Sequence, residues 1–221
     1  MKVNVIVTRV RSAIDELMVN DTEFINASKD EENLTLLIID KIPYALTYVI
    51  ANAPDEMLDA DLAEGLSTTD LQTFSITEDM TAKVRIPSDV LRVVSARLSS
   101  WSFSPYPESE HSEVWLMQQD EYARGSWDRP VSVLVHHGAE RWLHLYGAKT
   151  RNDELEVAVI RKPEAIDVTE GATNAVMNSD VSVPERLLAS FIYHIAGLSM
   201  TAFREDVASS LFAIADKHLK G

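Results

Sequence analysis

Pro130-Val131-Ser132-Val133-Leu134-Val135-His136-His137-Gly138-Ala139-Glu140-Arg141-Trp142-Leu143-His144-Leu145-Tyr146 is the stretch whose reading decides the fold. Val131, Val133 and Val135 alternate with other residues. Trp142, His144 and Tyr146 then alternate against Leu143 and Leu145. A period of two places successive side chains on opposite faces of a strand, and His137-Gly138 supplies the turn between two such runs. A loop at Thr150 to Asp153 and a further run, Leu155 to Ile160, extend the hairpin to an antiparallel meander.

Towards the N-terminus, Gly125 closes a segment, Glu113 to Tyr122, whose Val114, Met117 and Trp115/Tyr122 spacings predict a helix. Ser102 to Pro107 reads as a loop with two prolines, and Leu91 to Trp101 as a strand. Pro87-Ser88-Asp89 breaks the chain before it. Thr81 to Ile86 alternates clearly, with Ala82, Val84 and Ile86 on one face, and Thr73 to Thr77 alternates weakly.

Both ends of the chain change period. Val3, Ile6, Val7, Val10, Ile14, Leu17 and Met18 recur at spacings of three and four, the stripe of an amphipathic helix. Leu34, Leu37, Ile38, Ile42, Ala45, Leu46, Val49 and Ile50 form a second, in which Pro43 predicts a kink or a restart. Val183-Pro184-Glu185 opens a third, striped by Leu187, Leu188, Phe191, Ile192, Ile195 and Leu198. After a break near Leu198 to Thr201 comes a fourth, carrying Phe203, Val207, Leu211, Phe212, Ile214 and Ala215 and ending in Lys217, His218 and Lys220.

The expected fold is α+β. Residues 1–63 are an N-terminal helical hairpin plus an acidic linker, and 64–162 a central antiparallel β-sheet or β-sandwich. Residues 163–182 are an extended arm, and 183–221 a C-terminal helical hairpin. A lone hairpin leaves an apolar stripe in water, so the two pair as a four-helix unit.

Composition narrows the function. Without cysteine, disulfides, thiolate metal sites and thiol catalysis are excluded. No run approaches the length needed to span a bilayer, and charged residues interrupt Met1 to Met18, so neither membrane insertion nor export by a signal peptide is expected. A net charge of −15 opposes a nucleic-acid grip, which needs clustered Lys and Arg. Between Ile42 and Ala82 there are eight Asp or Glu and no Lys or Arg. Such a run is either a solvated surface or a wall that repels passing DNA. Asp55, Glu56, Asp59, Asp61, Glu64 and Asp70 are its candidates for that face.

Chemistry-bearing motifs are missing. Seven glycines form no phosphate loop, and GxSxG and HExxH are absent. His136 and His144 could meet across the hairpin, but a metal needs three or four ligands, and nearby only Glu140 offers another; polar residues at an exposed turn are the far commoner arrangement. Glu108, Glu110, His111 and Ser112 share one loop, yet a triad is defined by geometry. His194 reads as a core or interface residue. No catalytic residue, cofactor or metal site is expected. The four tryptophans, all central, fit core packing or subunit contact.

The order of short motifs is distinctive. Ile86-Pro87-Ser88-Asp89-Val90-Leu91-Arg92 leads to Ala96-Arg97-Leu98-Ser99-Ser100-Trp101, then Gln118-Gln119 to Tyr122 and Trp127-Asp128-Arg129-Pro130-Val131. Trp142-Leu143-His144-Leu145-Tyr146 and Arg161-Lys162-Pro163 follow, ahead of two helices. Over roughly residues 30 to 218 this resembles the head-to-tail adaptor and tail-tube ring proteins of short-tailed bacteriophages, including the ring proteins of crAss-like phages. The resemblance implies a virion protein and not an enzyme: one copy of a ring, commonly a dodecamer, stacked beneath the portal protein. Adjacent tail or ring proteins are its other partners, and double-stranded DNA passes through without sequence-specific binding. Helices would form the outer or docking layer, and the sheet would join neighbours around the conduit. Trp127, Arg129, Trp142 and Tyr146, aromatics with an arginine, have the composition of interface or core anchors. The arm would reach a neighbouring ring. The alternative is a cytoplasmic acidic binding or chaperone-like module without catalytic activity.

Overall fold

The computed structural model describes residues 1–17, 28–58, 62–67, 71, 73–166 and 173–220. The chain is α+β, with six helices and two sheets among the described residues, and divides into two compact units. One joins Met1–Leu62 to Pro163–Gly221; the other is Ala63–Lys162.

The first unit is helical. α1 (Val3–Leu17) buries Val3, Ile6, Val7, Val10, Ala13 and Ile14, the stripe that its spacing dictates. α2 (Ser28–Asn52) continues through Pro43 without the predicted restart, and against expectation its Asn33–Asn52 stretch is, by length and composition, long and apolar enough to cross a membrane. Burial of Ile38, Ile39, Ile42, Ala45, Leu46, Val49 and Ile50 outweighs the single donor that proline removes. α4 (Thr173–Asn178) lies within the segment expected to be an extended arm. Just after it, the Val3 amide donates to the Ser179 carbonyl at 3.1 Å and the Val181 amide to Met1 at 2.8 Å. Those bonds tie the end of the supposed arm to the N-terminus. Residues 167–172 of that arm lie outside the described residues. α5 (Leu188–Met200) contacts α1, α2 and α6 (Glu205–Lys220), which explains why apolar residues cover nearly its whole circumference.

The second unit is built from two sheets. Its strands are β1 (Glu64–Ser67), β2 (Ser75–Ile76), β3 (Thr81–Ile86), β4 (Val90–Leu98) and β5 (Glu108–Ser109). β6 (Val131–His137), β7 (Glu140–Tyr146) and β8 (Leu155–Arg161) complete it. The sheet orders are β1-β8-β4 and β2-β3-β7-β6-β5. All pairs are antiparallel except β5 with β6, a two-residue parallel contact that the central antiparallel reading did not contain. A single core is shared by Leu66, Val84, Ile86, Val93, Leu98, Leu143, Leu145, Val157 and Val159, so inward faces of both sheets meet in one layer.

Three polar devices fasten that layer. Arg141 on β7 donates to the Pro87, Val90 and Leu91 carbonyls at the start of β4, linking the two sheets. Trp101, almost fully buried beyond β4, donates its indole N–H to the Gly147 carbonyl at 2.8 Å. Asp153 accepts from the Ser100 hydroxyl at 2.6 Å and from the Lys149 and Thr150 amides, closing the β7–β8 loop. Burial alone would raise its pKa, but these bonds outweigh it and hold the carboxyl below the usual range.

Candidate functional site

Between β4 and β6 the chain makes a long excursion, residues 102–130, whose root lies on the sheet. β5 pairs with Val133 and Leu134 of β6, and the Glu110 amide continues that contact to the Leu134 carbonyl at 3.1 Å. The Glu110 carboxylate accepts the His136 amide at 2.8 Å, with the imidazole Nδ1 at 3.7 Å. That amide bond, more than the nearby imidazoles of His111, His136 and His137, lowers its pKa against desolvation. Beneath the excursion, Trp115 packs with Val131, Val133, Val135 and Tyr146 on the outer face of the five-stranded sheet.

Internal hydrogen bonds shape the rest. The Ser112 hydroxyl caps α3 (Glu113–Met117) by accepting the Trp115 amide at 3.1 Å. This helix is one turn, not the run to Tyr122 that its spacing suggests. Gln118, 2% exposed, ends it: the side-chain amide donates to the Val114 carbonyl and accepts the Gly125 amide, both at 2.8 Å. Arg124 donates to the Gln118 carbonyl at 3.1 Å and to Asp79 at 2.8 Å, with its guanidinium over the Tyr146 ring. Asp120 accepts the Tyr122 amide at 2.9 Å. Ser126 and Arg129 bridge a tight turn that abuts Gly147. His111 holds φ at 70°, a left-handed conformation that costs a non-glycine residue on the order of 1 kcal/mol and persists only where its surroundings dictate it.

This ordered platform points large apolar side chains into solvent. Phe103, Tyr106, Leu116, Met117, Tyr122 and Trp127 account for six of the eleven exposed large hydrophobics among the described residues, and Tyr122 is 97% exposed. Isolated exposed leucines are ordinary, whereas this one segment concentrates more than half of the large exposed hydrophobic side chains among the described residues. Residues 103–128 also hold six carboxylates, Glu108, Glu110, Glu113, Asp120, Glu121 and Asp128, against one arginine, Arg124.

The four expected anchors are divided by the fold. Trp127 and Arg129 are exposed in the Ser126–Arg129 turn, with the Lys149 ammonium 4.6 Å from the Trp127 ring centre. Trp142 is half-buried on β7, its indole N–H 3.2 Å from Glu140. Tyr146 is buried, so it supports the platform from beneath. Sequence reasoning passed over Phe103, Tyr106, Leu116, Met117 and Tyr122. Aromatics alternating with Pro105 and Pro107 were the available signal, since such a segment cannot join a strand and hide them.

Three of the six acidic candidates, Asp55, Glu56 and Glu64, belong to the described residues. Asp55 and Glu56 lie in a short 3-10 turn, where the Glu56 carbonyl accepts from Arg186. Glu64 is neutralised by Arg161 at 2.8 Å, and Arg161 also pairs with Asp89. Asp59, Asp61 and Asp70 lie outside the described residues.

His136 and His144 occupy opposite faces of the hairpin, because His136 pairs with Arg141 and His144 with Val133. The odd separation between His136 and Val133 on β6 puts the two imidazoles apart. His137, not His136, is the neighbour of His144, with ring centres 6.1 Å apart. Among the described residues no group of three His, Asp or Glu is placed to hold a metal. Burial lowers the His144 pKa to about 4, assisted by Lys83 and His137. In the Glu108–Ser112 loop the side chains are engaged apart: Ser112 caps α3, Glu110 faces His136, and His111 meets the edge of Trp115. His194 is buried in the helical unit, stacked on Tyr48 at 4.1 Å and tilted against Phe212, and burial lowers its pKa. Compared with known proteins, the chain matches no family model and no curated protein.

Proposed function

We propose that this chain is a structural subunit of a ring in the neck or tail of a short-tailed bacteriophage, joining the portal protein to the tail around the DNA conduit. The observation that supports it most is the 102–130 excursion, braced by hydrogen bonds over Ser112–Gly125, which carries six large apolar side chains exposed to solvent. Internal bracing removes the ordering cost of association, so such a surface is suited to permanent contact. In this reading Trp127 and Arg129 make contacts between subunits, while Trp142 and Tyr146 support them from the sheet. The two helical hairpins pack as a four-helix unit and form the docking layer towards neighbouring rings.

Charge agrees with a conduit. The helical unit carries nine Lys or Arg against twenty Asp or Glu, a net −11, and phosphate passing such a surface is repelled. The test is assembly. Purified full-length chain, alone and mixed with a portal protein, is examined by light scattering and negative-stain imaging. Rings of copies, or a collar of copies on the portal, are expected. A chain that stays monomeric in both conditions overturns the proposal and favours the acidic binding module.

A further inference from the structure

The platform also carries information about its partner. Three blocks of charge divide the chain. The helical unit is net −11, residues 103–128 are net −5, and the remainder of the β unit has ten Lys or Arg against nine Asp or Glu. The acidic platform is repelled by a second helical unit and by a second platform. Only the rest of the β unit receives it without like-charge repulsion.

Resting on the ring proposal, we propose that the 103–128 platform of one copy docks on the β unit of the next copy, outside that copy's own platform. The contact is heterologous: one subunit gives its platform and the other its strands, as head-to-tail closure of a ring requires. Size is consistent with this. Six side chains that each expose about half or more of their surface offer on the order of 600 Å², close to the roughly 800 Å² per partner of a stable interface. Exposed basic residues on the receiving unit include Arg97 and Lys162. The aromatic side chains supply most of the affinity, and the carboxylates set orientation and salt dependence.

The experiment uses the full chain under the conditions of the assembly test. A photo-crosslinking phenylalanine analogue replaces Tyr122, whose side chain is almost wholly in solvent. Irradiated assemblies are digested and the crosslinked peptides sequenced. Crosslinks between copies that end within residues 63–102 or 129–162 are expected. Two exposed-site variants accompany it, Tyr122→Ser with Leu116→Ser, and Glu108→Lys with Glu121→Lys. The first should raise the concentration needed for assembly at least tenfold, and the second should raise it chiefly at low salt. Rings that form with crosslinks to the helical unit, or platform to platform, overturn this inference and leave the ring proposal standing. The same holds for rings that neither variant pair weakens. Failure of the unmodified chain to assemble at all overturns both.

Discussion

Replacing Gly147 by alanine should destabilise the β unit more than the same change at Gly65, Gly125 or Gly138. Gly147 has φ of 95°, and a Cβ built there falls 2.3 Å from the Ser126 carbonyl carbon and 2.5 Å from its oxygen. Both are backbone atoms, so no side-chain rotation relieves the overlap. The left-handed conformation costs an alanine about 1–2 kcal/mol, and overpacking a close contact typically costs about 1–3 kcal/mol more. The sum, about 2–5 kcal/mol, is a large share of the stability of a domain, roughly 5–15 kcal/mol. For a unit of this size it corresponds to a fall in Tm of about 10 °C or more. Gly138→Ala is the internal control. Its φ is 63° but nothing lies within 4 Å of the added Cβ, so only the conformational cost, about 1 kcal/mol, applies. Urea unfolding followed by tryptophan fluorescence measures the difference, because all four tryptophans belong to the β unit. Trp101, whose indole is bonded to the Gly147 carbonyl, reports locally. Equal destabilisation by the two substitutions would refute the steric argument.

Three further outcomes are expected. Arg141→Leu strips donors from the Pro87, Val90 and Leu91 carbonyls and should cost about 2–3 kcal/mol at an unchanged denaturant slope; a loss below about 0.5 kcal/mol would dismiss Arg141 as a link between the sheets. Gln118→Leu leaves the Val114 carbonyl and Gly125 amide unpartnered, so limited proteolysis should speed up within 113–125 while the global urea midpoint moves little. His144, with its pKa lowered to about 4, accepts a proton in the unfolded chain before the folded one. Its contribution is therefore complete above about pH 6.5 and is lost as pH falls towards 4. After allowance for partial solvent screening, about 1–2 kcal/mol should vanish. Subtracting the urea profile of His144→Gln from that of the native chain isolates this imidazole, and a difference that does not change with pH would show it to be solvated.

Local periodicity is enough to predict most of the regular elements. The alternation in Thr81 to Ile86 and Val131 to Tyr146 appears as strands because a half-buried sheet needs one apolar face. The three-and-four spacing of Val3 to Ile14 appears as a helix for the equivalent reason. Where local and tertiary demands conflicted, the sequence misled. Pro43 suggests a kink or a restart, and the restart does not occur: the helix continues because its stripe is buried on both sides of the proline. Glu113 to Tyr122 has helical spacing, yet Gln118 and Asp120 capture the backbone and stop α3 after one turn.

The candidate surface was legible only in part. Trp127 and Arg129 stood out because aromatics and arginine recur in contacts, and both are exposed. Tyr146 belongs to the same composition class, but strand register turns it under Trp115 and away from solvent. His136 and His144 were separated by the same register.

Composition, charge and the two periods, then, determined by themselves that this chain is α+β, acidic, free of thiol chemistry, and helical at both ends. Each of those properties is additive or depends on neighbours a few residues apart. Tertiary structure decided how the eight strands among the described residues divide between two sheets, which aromatic side chains face water, and how Gln118, Arg124 and Gly147 hold a long excursion in one shape. Those features depend on contacts between residues tens of positions apart, where no local pattern records the partner.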